Sequence, residues 1–170
     1  MVGQVNRGVC RIIAGKWRGR KIKFDDAEGL RPTTDRIRET VFNWLQPYLS
    51  QSRCLDCFAG SGVLGFEALS RGAQELVFIE QNVNTIKCLK DNVQTLAIEN
   101  VVIHQQDALA ELDKLKQKGL IRAFGMSTKT VEGGLWVVEN CDVVMATCNL
   151  EYDEEQTVLD KAKELKSEIQ

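Results

Sequence analysis

The chain has 170 residues, 44% of them hydrophobic and 27% charged, with a formal net charge of −2. That balance fits one globular domain, or one domain with an extension, burying about 70% of its unfolded surface without disulfide staples. It excludes collagenous and low-complexity chains, and no apolar run reaches the roughly 18 residues of a helical membrane span.

The opening run "MVGQVNRGVCRIIAGKWRGR" has no apolar stretch ending in a small-residue cleavage site. It does not read as a signal peptide, so a cytoplasmic location is the default expectation. Cys10, Cys54, Cys57, Cys88, Cys141 and Cys148 are then expected as reduced thiols. Cys54 and Cys57 form one C-x-x-C, but no second Cys/His pair accompanies it, and no metal site is expected. His104, the single histidine, has no nucleophile motif to serve and reads as structural.

The charge is unevenly spread. Residues 7–38 hold ten Lys/Arg and four Asp/Glu, a net of +6, and the remainder carries −8. Such asymmetry hints at nucleic-acid contact.

In chain order, residues 10–24, "CRIIAGKWRGRKIKF", predict two short strands around a Gly-Lys-Trp-Arg-Gly turn. A helix follows in "LRPTTDRIRETVFNWLQPYL", capped by Thr34 or Asp35, with Ile37, Val41, Trp44 and Leu45 as its apolar stripe and Pro47 near its end. Then strands alternate with amphipathic helices. The strands are "SRCLDCFAG", "ELVFIEQ", "VVIHQQDA", "LIRAFGMS" and "DVVMATCNL". The helices are "GVLGFEALSRGA", "VNTIKCLKDNVQTLA", "LAELDKLKQKG", "KTVEGGLWVVENC" and "EEQTVLDKAKELKSEI". Alternation of this kind predicts β-α-β units. The expected fold class is α/β: a Rossmann-like three-layer αβα sandwich on a mainly parallel five-stranded sheet of order 3-2-1-4-5, preceded by a basic hairpin and helix.

Gly60, Gly62 and Gly65 give G-x-G-x-x-G between the first core strand and its helix. Glycines there permit a tight turn and close approach of backbone to ligand. Asp56, Glu80 and Asp107 fall at three successive strand ends, which puts a ligand at the carboxyl edge of the sheet. Glu80 suits ribose hydroxyls and Asp107 an adenine amino group. The pattern serves NAD or S-adenosylmethionine. Asp56, one position before the loop, suits a cationic sulfonium and amino-acid end better than a pyrophosphate.

Residues 10–119 closely resemble the bacterial small-subunit ribosomal RNA guanine-N2 methyltransferase family, through "RIIAGKWRGRKI", "GLRPTTDRIRETVFNWL", "CLDCFAGSGVLGFEALSRGA", "FIEQN" and "QQDAL". The family is similar in fold to other class I S-adenosylmethionine-dependent methyltransferases. The resemblance implies that Phe58, Ala59, Gly60, Ser61 and Gly62 line the cofactor, with Glu80 on the ribose and Asp107 on the adenine. It implies that "RPTTDRIRE", with Arg31, Thr33, Arg36 and Arg38, sits over the active-site mouth. It also tips the basic region toward ribosomal RNA, with Lys16, Trp17, Arg18, Arg20, Arg31, Arg36 and Arg38 as the expected contacts and Trp17 stacking on a base. The other reading of that run is a solvated hairpin with Trp17 packed on the domain.

The family further implies Asp-Pro-Pro-Phe after the fourth strand, where it grips the exocyclic amine. Pro32 and Pro47 are the only prolines of this chain, so the motif is absent from it. Residues 118–165 instead resemble about two β-α units of an aldo-keto reductase barrel, with Ser127 at a nicotinamide-facing position; two units cannot close that barrel. Asn149, three residues before Tyr152, is the weak substitute for the missing group.

The organisation expected from these likenesses is a hairpin and helix over 1–50, a cofactor-binding half over 51–119 and two reductase-like β-α units over 120–170 that complete the same sheet. The function expected first is a chimeric, engineered chain that binds S-adenosylmethionine without methyl transfer. Beside it stand an active ribosomal RNA guanine-N2 methyltransferase and a fold-engineering product with no ligand. An exposed sheet edge would give a route to oligomers.

Overall fold

The structure is a computed structural model that describes residues 7–25, 33–147 and 153–167. The chain forms two compact units, 1–108 and 109–170.

The first unit opens with strands β1 (Arg7–Arg11) and β2 (Lys21–Asp25), paired antiparallel with Arg11 opposite Lys21. Ile12 N–H donates to Arg20 O at 2.9 Å and Gly19 N–H to Ile12 O at 2.8 Å, carrying the ladder into the bend. The interleaving of apolar and cationic residues follows from the period of two. Ile22 and Phe24 are buried, while Lys21 and Lys23 face out.

Helix α1 spans Asp35–Leu49, with Thr34 at the N-cap position making no side-chain cap bond. Asp35 turns its carboxylate instead to Arg11, at 2.9 Å, and to Arg38, at 2.5 Å. The buried row is Arg38, Phe42 and Leu49. This corrects the expected apolar stripe: Ile37 is 53% and Trp44 71% exposed, Leu45 and Tyr48 are exposed too, and Val41 is half-buried. At about 100° per residue, the two rows lie on neighbouring faces of one helix. Phe42 joins the core cluster and carries the Arg71 guanidinium over its ring at 5.4 Å, so that row faces inward.

Strands β3 (Arg53–Asp56), β4 (Glu75–Glu80) and β5 (Val101–Gln105) form a parallel sheet with β4 central. Helix α2 (Val63–Ser70) packs on β3 and β4, and α3 (Val83–Leu96) on β4 and β5. Phe66 meets Phe78 edge-to-face, with ring centroids 5.1 Å apart. Gly65 lets α2 sit directly on the strand, since a Cβ there would lie 2.5 Å from the Phe78 ring. β2 lies along α3, where Asn92 accepts from Lys23 N–H at 3.1 Å and donates to Lys23 O at 2.7 Å.

The core lies on one face of this sheet, where Leu76 and Phe78 are fully buried. Across the other face runs the registered row Leu55, Val77 and Val102, with Leu55 46% and Val102 50% exposed.

The second unit contains α4 (Ala108–Gln117, its first residue ending the first unit), β6 (Gly125–Ser127), α5 (Val131–Asn140), β7 (Val143–Met145) and α6 (Gln156–Ser167). β6 and β7 pair in parallel as a two-stranded sheet of their own. Among the described residues the strands form separate hydrogen-bonded sheets, and the five-stranded order 3-2-1-4-5 is not confirmed. The late strands are far shorter than the runs 120–127 and 142–150 suggested, and three-residue ladders offer few bonds. α5 packs on α6, with Gly134 against the fully buried Val158. Asp142 accepts from Phe124 N–H at 3.2 Å and pairs with Lys116.

Candidate ligand site at the carboxyl edge

Parallel strands end together, so the loops that follow them gather at one edge. β3 ends at Asp56 and leads into the turn 57–62, which delivers the chain to α2. Gly60 and Gly62 take φ values of +49° and +73°, in the left-handed region that only glycine enters cheaply. Gly62 is also closely packed, because a Cβ there would lie 2.4 Å from Leu89 Cδ2. The turn is fastened by Ala59 N–H donating to Ile79 O at 3.2 Å and Gly62 N–H donating to Ala59 O at 2.6 Å.

Glu80 stands at the junction of three segments. Its Oε2 accepts from Gly60 N–H at 3.0 Å, and its Oε1 accepts from Gln81 and Asn82 N–H at 2.9 and 2.8 Å. Its backbone carbonyl accepts from Gln106 N–H at 3.2 Å, tying in the loop after β5. Asn82 then caps α3 through Asn84 and Thr85 N–H. The acid expected to face a ligand therefore also holds the turn in shape, and Asn82, unnoticed in sequence, fixes the helix beyond it. An Asn directly before a helical run was the available signal.

Asp56 Oδ2 is buried and has no hydrogen-bond partner among the described residues. Burial is the main reason its carboxyl is pushed above the ordinary carboxylate range, with the Glu80 charge adding to the rise. Backbone bonds from Gly65 and Phe58 act the other way. An unpaired buried carboxylate oxygen is costly, which sets this atom apart as a candidate acceptor. Phe58 is exposed at the turn, while Ala59 and Ser61 are buried. Asp107 is exposed, two residues past β5 and directly before α4. The structure thus brings Asp56, the turn and Glu80 into one hydrogen-bonded region and places Asp107 on the adjoining loop.

The basic residues divide differently. Lys16, Arg18, Arg20 and Arg36 are exposed. Trp17 is half-buried against the core, with Lys16 Nζ 4.8 Å from its ring centroid. Arg20 donates to Thr95 O at 3.2 Å. Arg38 is 0% exposed, so its guanidinium is turned to protein groups. Its guanidinium donates to Thr33 O, Arg11 O and Asp35 and lies 3.5 Å from Glu67. Glu67 itself was missed, although a single charge inside the apolar run "VLGFEALS" was a visible signal. Arg31 and Asn149 lie outside the described residues. Among the described residues no cluster of three metal-ligating side chains occurs, and no helix is long and apolar enough to cross a membrane.

The α/β Rossmann-like unit with a glycine turn at its carboxyl edge is similar to that of solved structures. The Escherichia coli structure described as putative methyltransferase yhhF is 50% identical, with a TM-score of 0.56, covering 62% of this chain and 58% of that one. Residues 10–122 match the family described as Conserved hypothetical protein 95, and the chain belongs to that family. Ribosomal RNA small subunit methyltransferase D of Haemophilus influenzae is 54% identical over 114 residues, 65% of this chain and 57% of that relative. The protein of the same name from Buchnera aphidicola subsp. Acyrthosiphon pisum is 40% identical over 158 residues, 87% of this chain and 80% of that relative. The chain thus spans a little over half the length of the Haemophilus relative.

Proposed function

We propose that the chain is an S-adenosylmethionine-dependent ribosomal RNA methyltransferase whose methyl donor lies at the carboxyl edge of β3–β5. The observation that carries this is the unpartnered, buried Asp56 Oδ2 beside a glycine turn, in a chain similar to small-subunit ribosomal RNA methyltransferases. When bound, S-adenosylmethionine supplies an activated methyl group on a sulfonium.

The residues fit such a ligand. Asp56 offers a buried anionic acceptor for the cationic amino-acid end, in surroundings where a paired charge is worth most. Glu80 already accepts three backbone bonds, which leaves its Oε2 with capacity for one ribose hydroxyl. This narrows the expected grip on both hydroxyls to a single direct bond from that oxygen. Phe58, Ala59, Gly60, Ser61 and Gly62 line the donor, and Asp107 receives the adenine amino group. Exposed Lys16, Arg18, Arg20 and Arg36 neutralise RNA phosphates, and the half-buried Trp17 ring stacks on a base. Methyl transfer is an in-line displacement, so the contribution of these residues is positioning.

A second reading is favoured by one observation, that no proline follows Pro47. In that reading residues 118–165 replace the amine-gripping half, and the chain holds the donor without transferring its methyl group. Radiolabelled S-adenosylmethionine with unmethylated ribosomal RNA separates the two. Label in the RNA above a cofactor-only blank supports the enzyme; binding heat without label supports the second reading.

A further inference from the structure

The far end of α2 carries a buried polar assembly that the donor site does not use. Glu67, fully buried, accepts from Ile13 N–H at 2.8 Å, from Ala14 N–H at 3.0 Å and from Arg71 Nε at 2.8 Å. Arg38, equally buried, stands 3.5 Å from it and reaches on to Thr33 O at 3.1 Å and Arg11 O at 3.0 Å. One turn later Ser70 Oγ accepts from Trp17 N–H at 3.0 Å and donates to Ala14 O at 2.5 Å. The Ser70 carbonyl accepts from Lys16 N–H at 2.8 Å. The last turn of one helix therefore seats both the hairpin bend and the start of α1.

The first turn of the same helix belongs to the glycine turn. Gly62 is its N-cap, and Gly65 N–H supports Asp56. Eight residues span about 12 Å, and all but Leu64 are buried, so the helix moves as one packed body. Burying charges is a weak route to stability, since apolar replacements often serve as well. What a buried ion pair with directional bonds does supply is one defined seating of the segments it joins.

We propose that Glu67 is a positioning residue that couples the two ends of α2: seating of the hairpin bend and ligand binding at the glycine turn favour each other. The proposal rests on the donor-binding reading given above. Coupling of this kind is reciprocal, so it is readable from either end.

The test uses the full chain and S-adenosylhomocysteine, the demethylated form of the donor, with calorimetry for binding and amide hydrogen exchange for seating. At saturation, exchange at Ile13 and Ala14 is expected to slow by at least about fivefold, the lower end of usual coupling between sites. Glu67→Gln is expected to lose that ligand-dependent slowing and to bind about fivefold more weakly, as reciprocity requires. Ser70→Ala, which removes only the hydroxyl bonds to Ala14 and Trp17, is expected to act in the same direction and replaces Glu67→Gln if that variant does not fold. Glu75→Gln, in the exposed pair with Arg53, is expected to leave both readouts unchanged. Heat with unchanged Ile13 and Ala14 exchange overturns the coupling and leaves donor binding standing. A folded Glu67→Gln chain that keeps the slowing overturns it as well, because a purely structural role lowers stability alone. No heat from the parent chain overturns the donor-binding reading, and the coupling with it.

Discussion

Asp56 is held above the ordinary carboxylate range chiefly by burial, so the folded state disfavours its charged form. A carboxyl raised in this way contributes most below its unfolded pKa, and the contribution is lost as pH rises through the folded value. Asp56→Asn is therefore expected to raise the denaturation midpoint at neutral pH, with the gain vanishing as pH falls through the carboxylate range. Urea melts of both chains across that range check it. The same variant is expected to weaken donor binding, so stability and binding move in opposite directions. Arg38 behaves differently. Arg38→Ala leaves Glu67 less compensated in the core and is expected to cost about 3–5 kcal/mol, the usual result of breaking a buried pair. That cost is read by denaturation without RNA present.

Among the elements, α1 and α2 carry the clearest expectations. Phe42→Ala removes a ring from the core cluster and is expected to cost about 3–5 kcal/mol, whereas Trp44→Gln on the exposed face changes stability by about 0.5 kcal/mol or less. Acrylamide quenching of a Trp44-only chain should show an accessible indole. Gly62→Ala places a Cβ at φ +73° against Leu89 and Phe66, and overpacking of this sort costs about 1–3 kcal/mol beyond the backbone strain. The hairpin, α1 and the three strand–helix repeats were legible because periods of two and 3.6 and the turn glycines are local signals. Which face of α1 turns inward was not. Hydrophobicity alone ranks Trp44 above Arg38, and partners brought in by the fold, Arg11 O and Glu67 among them, reverse that order.

Over the whole molecule, the positive excess of residues 7–38 predicts that the proposed RNA binding is salt-dependent. Removing one phosphate-neutralising cation, by Lys16→Ala or Arg18→Ala, is expected to flatten the log–log salt slope by about 0.7 for single-stranded RNA. Filter binding across a salt series measures it. Asp56 and Glu80 could be placed from sequence because each ends a strand, a position that pattern alone locates, whereas Asp107 lies two residues beyond β5. Glu80's service to Gly60, Gln81 and Asn82 could not, because those bonds exist only once the strands are aligned. Sheet closure was equally invisible: strands of three residues leave β6 and β7 paired with each other, where periodicity had suggested a continuous sheet.

The most direct test is a calorimetric titration of S-adenosylmethionine into the full chain and into Asp56→Ala and Glu80→Ala. The donor site predicts saturable, one-to-one binding by the parent chain, weakened at least about tenfold by either substitution, as expected when a charge-assisted bond is removed. Absence of heat from the parent chain, or equal affinity in all three, would contradict it.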